Sequence, residues 1–366
     1  MDDQELICRI AIADVEGIGP VTLRKLISLA GSARGLLDPG PEIYMKATEP
    51  QRNWLREINA IEPKRFKWAQ TMVNELKRTS FDTLTFEDPR FPFRLRHCHD
   101  APPWIFVKGK LSPVKHVVSI VGSRQASEYG RRFVRDLVKH LSAFDVAIVS
   151  GLAVGIDVEA HRAAIKYALP TWAVLAHGFD KMYPFSNRHV ARDILDQGAW
   201  ITEFLPRTRP EKENFPKRNR IIAGLCDVCV VVEAARKGGA LITAKLSNEY
   251  GRDVMALPGR VTDEFSAGCN SLIRNHQAHL IEHPNNLTEL LGWKRIHDQP
   301  QLQLPIELSE FQHSILKLIG SEESCSIESL CKQLNCELPK ALPVLLQLEM
   351  EGLIVNTGAH HYIRAG

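Results

Sequence analysis

The segment Asn214–Gly224 and the residues leading into it carry the densest chemical signal in this chain. Between positions 207 and 220 six basic side chains stand against two acidic ones. The stretch ends in Asn214-Phe215-Pro216-Lys217-Arg218-Asn219-Arg220. Phe215 is a ring that can stack on a nucleobase beside those cations. Pro216 suits the first turn of a helix, which puts Lys217, Arg218 and Arg220 around its first turns. The helix dipole favours anions at that end, so the cations need something negative opposite them. One arrangement is internal, with Arg220 paired to Asp157, Glu203 or Glu233. Another is an external phosphate at Lys217 and Arg218. A solvated basic face is the third.

Small residues recur where apolar stretches end. They include Gly122-Ser123-Arg124, Ser150-Gly151 running on to Gly155-Ile156-Asp157, His177-Gly178, and Lys237-Gly238-Gly239. Such turns let backbone N–H groups approach an anion and aim helix N-termini at it. They also serve tight turns and close helix–sheet packing. Neither G-x-x-x-x-G-K-[ST] nor G-x-G-x-x-G is present, so nucleotide hydrolysis and dinucleotide redox chemistry lose support. The expected phosphate contacts are Gly122, Ser123, Arg124, Ser150, Gly151, Asn219, Gly238 and Gly239. Asp157, Arg220 and Glu233 are expected as a structural ion-pair group.

Other chemically suggestive groups carry less. Cys226-x-x-Cys229 runs into an apolar strand, and no second pair has zinc-ribbon spacing. His276, His279 and His283 have no carboxylate cluster nearby. Asp157 and His161 share a helix face, but no Ser or Cys nucleophile pairs with them. The sequence predicts no metal, no cofactor and no catalytic centre.

The elements that must position these residues are legible as alternation. Apolar strands are expected at His116–Val121, Val146–Val149, Thr171–Leu175, Ala199–Glu203, Asp227–Val232, Val254–Leu257 and Ala278–Ile281. Stretches of about 12–25 residues separate them, the pattern of a parallel sheet covered on both faces. A doubly wound sheet binds ligands at its carboxyl strand ends. Residues 1–78 read as helical, with Gly17-Ile18-Gly19 as a turn between two helices, in the manner of a helix-hairpin-helix. Residues 88–103 are Pro-rich and irregular. The stretch 297–305 reads as a linker, placed overall at 293–305. Beyond it, 306–366 holds three helices and a hairpin, a winged-helix pattern.

Charge follows the same division. Residues 79–300 carry 30 basic and 24 acidic side chains, whereas 301–366 carry 4 and 8. A polyanion should therefore meet the middle of the chain. The acidic start Met1-Asp2-Asp3 lacks the basic region of a signal peptide. No apolar run is long enough to span a membrane. Eight scattered cysteines suit a reducing compartment. A cytoplasmic protein is expected.

Together these motifs resemble the DNA-processing protein A (DprA/Smf) family. The resemblance rests on Gly122-Ser123-Arg124, Ser150-Gly151-x-Ala153-x-Gly155-Ile156-Asp157 with Ala160-His161, and Gly178 with Tyr183-Pro184 and Asn187. It continues through Phe215-Pro216 with Arg218-Asn219-Arg220-Ile221-Ile222-Ala223-Gly224, then Gly251-Arg252-Asp253-Val254 with Pro258-Gly259. It spans about 80–290. One turn departs from the family pattern, with Gly238-Gly239 where Ser-Gly is usual.

The resemblance implies an extended Rossmann-like, doubly wound, mostly parallel sheet at 79–292. A helical SAM-like domain at 1–78 and a winged-helix domain at 306–366 would flank it. It further implies a non-enzymatic protein of natural transformation that binds and protects single-stranded DNA and assists RecA loading over single-strand binding protein. Such proteins usually act as homodimers. Arg124 and Lys217 would be the basic DNA contacts, with Arg218 helping. The rival readings are a glycosidase-like enzyme acting on nucleoside monophosphates and a winged-helix regulator of duplex DNA. The first lacks a Pro-Gly-Gly-x-Gly-Thr run, and the second is opposed by the acidic C-terminal region.

Overall fold

A computed structural model of the chain describes residues 2–296, 308–319, 325–350, 353–358 and 360–364. They fall in two units, Met1–Gln299 and Pro300–Gly366. The stretch 297–305, read as a linker, lies outside the described residues. Residues 293–296 pack on the first unit. Trp293 stacks on His116 at 4.0 Å, and the Ile296 N–H donates to the Ala143 carbonyl.

The first unit opens with five helices: α1 (Asp3–Ala13), α2 (Pro20–Ala30), α3 (Pro41–Lys46), α4 (Glu49–Asn59) and α5 (Pro63–Lys77). The α1–α2 turn needs glycine at position 17. Its φ is +83°, and a Cβ there would meet the Trp54 ring at 2.7 Å. Leu23, Leu26, Leu55 and Ile58 form the helical core. Trp104 and Phe106 belong to the same cluster, so these helices share a core with the edge of the sheet that follows. Arg9 ties them further, bonding Glu5 at 2.8 Å and Glu87 at 2.7 Å.

The sheet has nine strands: β1 (Asp82–Thr85), β2 (Trp104–Gly109), β3 (His116–Gly122), β4 (Val146–Ser150), β5 (Thr171–Val174), β6 (Ala199–Thr202), β7 (Val228–Val232), β8 (Asp253–Ala256) and β9 (His279–Leu280). Their spatial order is β1-β2-β6-β5-β4-β3-β7-β8-β9. From β6 to β9 all pairings are parallel. The first two strands run antiparallel. The seven parallel strands lie where the apolar runs predict. The antiparallel pair does not follow from the βα alternation, because prolines flank Trp104–Gly109 and obscure it.

Helices alternate with these strands: α6 (Phe93–Arg96), α7 (Glu128–Leu141), α8 (Ile156–Lys166), α9 (Arg188–Gln197), α10 (Asn214–Leu225), α11 (Gly239–Glu249), α12 (Ala267–Arg274) and α13 (Asn285–Leu290). Side chains alternate across a strand, and β3 shows the result. Val118 and Ile120 pack with Val134 and Leu137 of α7. Val117 and Val121 pack with Ile221 and Ile222 of α10. Both faces are covered, as a Rossmann-like parallel sheet requires. The chain steps from β3 outward to β6, then returns to place β7 on the other side of β3. The topological switch point therefore lies between β3 and β7, where such sheets open a crevice at their carboxyl ends.

The second unit contains α14 (Glu310–Leu318), β10 (Cys325–Ser326), α15 (Ile327–Gln333), α16 (Leu338–Met350), β11 (Ile354–Gly358) and β12 (His361–Arg364). Its three strands order β10-β12-β11. Ser309 and Gln312 cap α14 reciprocally. Ile315, Leu330, Leu345 and Leu348 fill the core. On the outer face of α16, Leu338, Leu342, Leu346 and Met350 are exposed. Among the described residues no helix is long and apolar enough to cross a membrane.

Candidate nucleic-acid interface

A cavity of about 350 Å³ opens at the carboxyl ends of β3 and β7, the switch point of the sheet. Three elements build it. The first is the turn after β3, where Gly122 must be glycine. A Cβ there would sit 1.9 Å from the Val232 carbonyl of the neighbouring strand. Close pairing of β3 and β7 then delivers Ser123 and Arg124 to the opening. The Ser123 hydroxyl accepts the Gln125 N–H at 3.0 Å and tightens the turn.

The second element is the start of α11. Gly238 precedes it in extended backbone, with no side-chain cap and no acidic residue in the first turn. The first amides of a helix lack internal partners, and here Gly238, Gly239 and Ala240 line the cavity. Lys237 lines it too. An uncapped helix N-terminus beside a cation is suited to an anion.

The third element is α10, whose Phe215 and Arg218 reach the same space. The Arg124 guanidinium lies 5.4 Å from the centroid of the Phe215 ring. Arg218 also approaches the ring, at 6.0 Å. Asn219 also lines the cavity, its amide nitrogen donating to the Gly239 carbonyl at 3.2 Å. This bond ties α10 to the start of α11.

The floor of the cavity is a buried polar layer, where Asp157 and Arg218 line it. Asp157 accepts the Gly151 N–H at 3.2 Å, and Arg218 donates to the Gly151 carbonyl at 2.6 Å and to the Val174 carbonyl. Burial pushes the Asp157 carboxyl above its ordinary range, opposed by the nearby charge of Arg218. Burial likewise draws Arg218 down to about 10, opposed by Asp157. His161, on the same layer, is drawn down to about 3 by burial. Its Nδ1 meets the Thr171 hydroxyl at 2.7 Å. Desolvation dominates all three.

The expected site residues divide accordingly. Gly122, Ser123, Arg124, Phe215, Arg218, Asn219, Gly238 and Gly239 line one cavity. Ser150 turns away, its hydroxyl donating to the Ile120 carbonyl at 2.6 Å inside the sheet. The Gly151 amide is occupied by Asp157, so it has no free donor for a phosphate. Lys217 is exposed on α10 and does not line the cavity. Arg218, expected to face outward, is the buried member of the pair, because its position on α10 faces the β4 and β5 ends.

The grouping of Asp157, Arg220 and Glu233 also needs correction. Arg220 pairs with Glu203 and with the Asp100 carbonyl. Glu233 instead accepts the Ser127 N–H at 2.9 Å and the Ser127 hydroxyl, locking the end of β7 to the start of α7. Its φ of +60° is an uncommon conformation for a non-glycine residue. Asp157 belongs with Arg218. Lys237 was missed as a site residue. Its signal was a cation directly before the Gly-Gly pair that opens α11.

Known proteins resemble this chain in sequence and in fold. Residues 82–292 match the family model described as DNA recombination-mediator protein A. Protein Smf of Synechocystis sp. is 35% identical over 309 residues, covering 80% of this chain and 74% of that protein. The solved structure of DNA processing protein A from Streptococcus pneumoniae superposes with a TM-score of 0.60 at 31% identity, covering 76% of this chain and 99% of that one. The Helicobacter pylori protein, solved to explain its single-stranded DNA binding mode, gives 0.53 at 26% identity over 59% of this chain and 98% of its own. This chain belongs to the DNA recombination-mediator protein A family.

Proposed function

We propose that this protein is a single-stranded DNA-binding recombination mediator. One observation carries the reading. At the switch point, Arg124, Lys237, the uncapped start of α11 and the Phe215 ring converge on one open cavity. Cations and backbone amides suit phosphate, and the ring suits a base. Phosphate contacts and ring stacking carry no sequence information, so binding is expected to be tolerant of sequence. Membership in the family and the single-strand binding of the Helicobacter pylori relative support the same reading. In the cell it would protect incoming strands during natural transformation and hand them to RecA in the presence of single-strand binding protein, in the cytoplasm and without a cofactor. Lys217, exposed on α10, would contact the strand outside the cavity.

A homodimer is part of this reading. The final strand β9 is an edge of the sheet, and Val261 and Leu280 are exposed near it. An open edge with apolar neighbours suits self-association. Leu257 and Leu272 are buried in the core and are not available for it. The first unit would comprise a helix-hairpin-helix region and a Rossmann-like core. The second unit we read as a winged helix that contacts protein. Its outer helix presents Leu338, Leu342, Leu346 and Met350, where a duplex reader would carry cations.

The nucleotide-cleaving alternative would need a carboxylate free to act at the cavity. Asp157 lines the cavity but is buried, accepts the Gly151 N–H and stands near the Arg218 charge; Glu233 is held by Ser127. Titration against single- and double-stranded DNA across salt tests the reading. Log affinity for single strands should fall linearly with log salt, by about 0.7 per neutralised phosphate. Equal or tighter binding to duplex in competition would overturn it.

A further inference from the structure

Beyond the cavity, the segment between β5 and α9 presents two rings to solvent. Tyr183 is 44% exposed and Phe185 67% exposed. The backbone that carries them is nonetheless pinned. Asn187 is buried and its side-chain amide donates to the Leu152 carbonyl at 2.9 Å. The Asn187 N–H closes a turn on the Pro184 carbonyl at 3.0 Å. A fixed turn that holds large rings outward gives up the burial those rings could supply elsewhere.

Cations accompany the rings. The Arg188 guanidinium lies 4.4 Å from the Phe185 ring centroid. It has no ion pair with a carboxylate among the described residues, so its charge is not neutralised. Arg192 is exposed one turn further along α9, on the same face as Arg188.

One of these rings, Tyr183, reaches the neighbourhood of the cavity. A narrow cleft lined by Arg124, Val154, Tyr183 and Phe215 adjoins it and shares Arg124 and Phe215 with it. The Tyr183 and Phe215 centroids are 6.0 Å apart. Phe215 and Tyr183 both line this cleft, and Phe185 follows two residues after Tyr183 on the same pinned segment; Arg124 lies over the Phe215 ring and Arg188 over the Phe185 ring.

We propose that Tyr183, Phe185 and Arg188 form a nucleobase-stacking platform that carries a single strand away from the cavity. Exposed rings on a rigid turn accept any base, because every base has a π face. Arg188 and Arg192 face the backbone phosphates that accompany those bases. The proposal rests on the cavity being a single-strand site.

The test uses the full chain and oligothymidylates of two lengths. One is about 4 nucleotides, enough for the cavity alone; the other is about 16. Phe185→Ala should weaken the longer strand about 10-fold and leave the shorter unchanged. Phe185→Trp should retain wild-type affinity for the longer strand, and its fluorescence should be quenched on binding. An abasic strand of the longer length should bind wild type and Phe185→Ala alike. If Phe185→Ala binds both lengths like wild type while Arg124→Ala loses both, the platform is wrong and the cavity reading stands. If wild type binds neither length, both are wrong.

Discussion

Arg218 holds the carbonyl of Gly151 at 2.6 Å. The N–H of the same glycine is held by Asp157 at 3.2 Å. An acid and a base thus grip one residue from opposite sides, and the turn after β4 is fixed beneath the cavity. A Cβ at Gly151 would sit 2.4 Å from the Arg218 guanidinium. The turn and the arginine occupy one space by excluding a side chain.

Gly151→Ala should therefore destabilise the fold, while Gly238→Ala should not. A Cβ at Gly238 meets nothing within 4 Å, and its φ of 179° is open to any residue. Thermal melting of the two variants checks this. A Gly151→Ala protein as stable as wild type would contradict the grip described here.

Arg218→Ala should act on stability first. It leaves the buried Gly151 and Val174 carbonyls without their charged donor, and a hydrogen bond to a charged group contributes about 1.5–3 kcal/mol. Asp157→Ala should likewise lower the melting temperature before it changes DNA affinity. Urea denaturation measures both. If Arg218→Ala melts like wild type and loses only DNA binding, the residue is a ligand contact rather than part of the buried layer.

Arg124→Ala and Lys237→Ala should each weaken single-strand binding by about 10-fold, since a charge-assisted hydrogen bond contributes about 1.5–3 kcal/mol. Both should keep wild-type stability, because exposed cations contribute little to it. Each should also reduce the salt slope by about 0.7. Lys217→Ala should change affinity less than Lys237→Ala, because Lys217 lies outside the cavity. Anisotropy titrations at several salt concentrations decide the order.

Acid should destabilise the protein through His161. Burial holds its imidazole neutral down to about pH 3, against an ordinary value of 6.5. Between those values the unfolded chain binds a proton that the folded chain does not. Stability from this site is therefore complete above 6.5 and falls as pH drops toward 3, by up to about 1.4 kcal/mol per pH unit. Asp157, shifted upward, tilts the curve the other way, so the comparison must be with His161→Gln in the same background. Unfolding free energies from pH 7 to pH 4 should show a flatter dependence in the variant. Parallel curves would show that His161 does not titrate as described.

The seven parallel strands, the stretches between them and the turns that carry small residues are legible in the amino-acid pattern. Those are local properties. β-branched runs bounded by glycine declare a buried strand, and strand–helix alternation then dictates a sheet covered on both faces. The chemistry of the site was equally local at Arg124, Phe215 and Gly238-Gly239, because each stands at a strand end or helix start. Tertiary structure alone decided which charge meets which. Lys217, Arg218 and Arg220 are neighbours in sequence, yet helical rotation of about 100° per residue sends them to different surroundings. Lys217 goes to solvent, Arg218 to the Gly151 turn and Arg220 to Glu203. Periodicity locates such residues on a helix, but their partners come from strands more than 60 positions away in the case of Gly151, and only the strand order brings those ends together. The same holds for the cavity. It exists because β7 returns to the side of β3 opposite β4, a crossover set by long-range packing that no local pattern records.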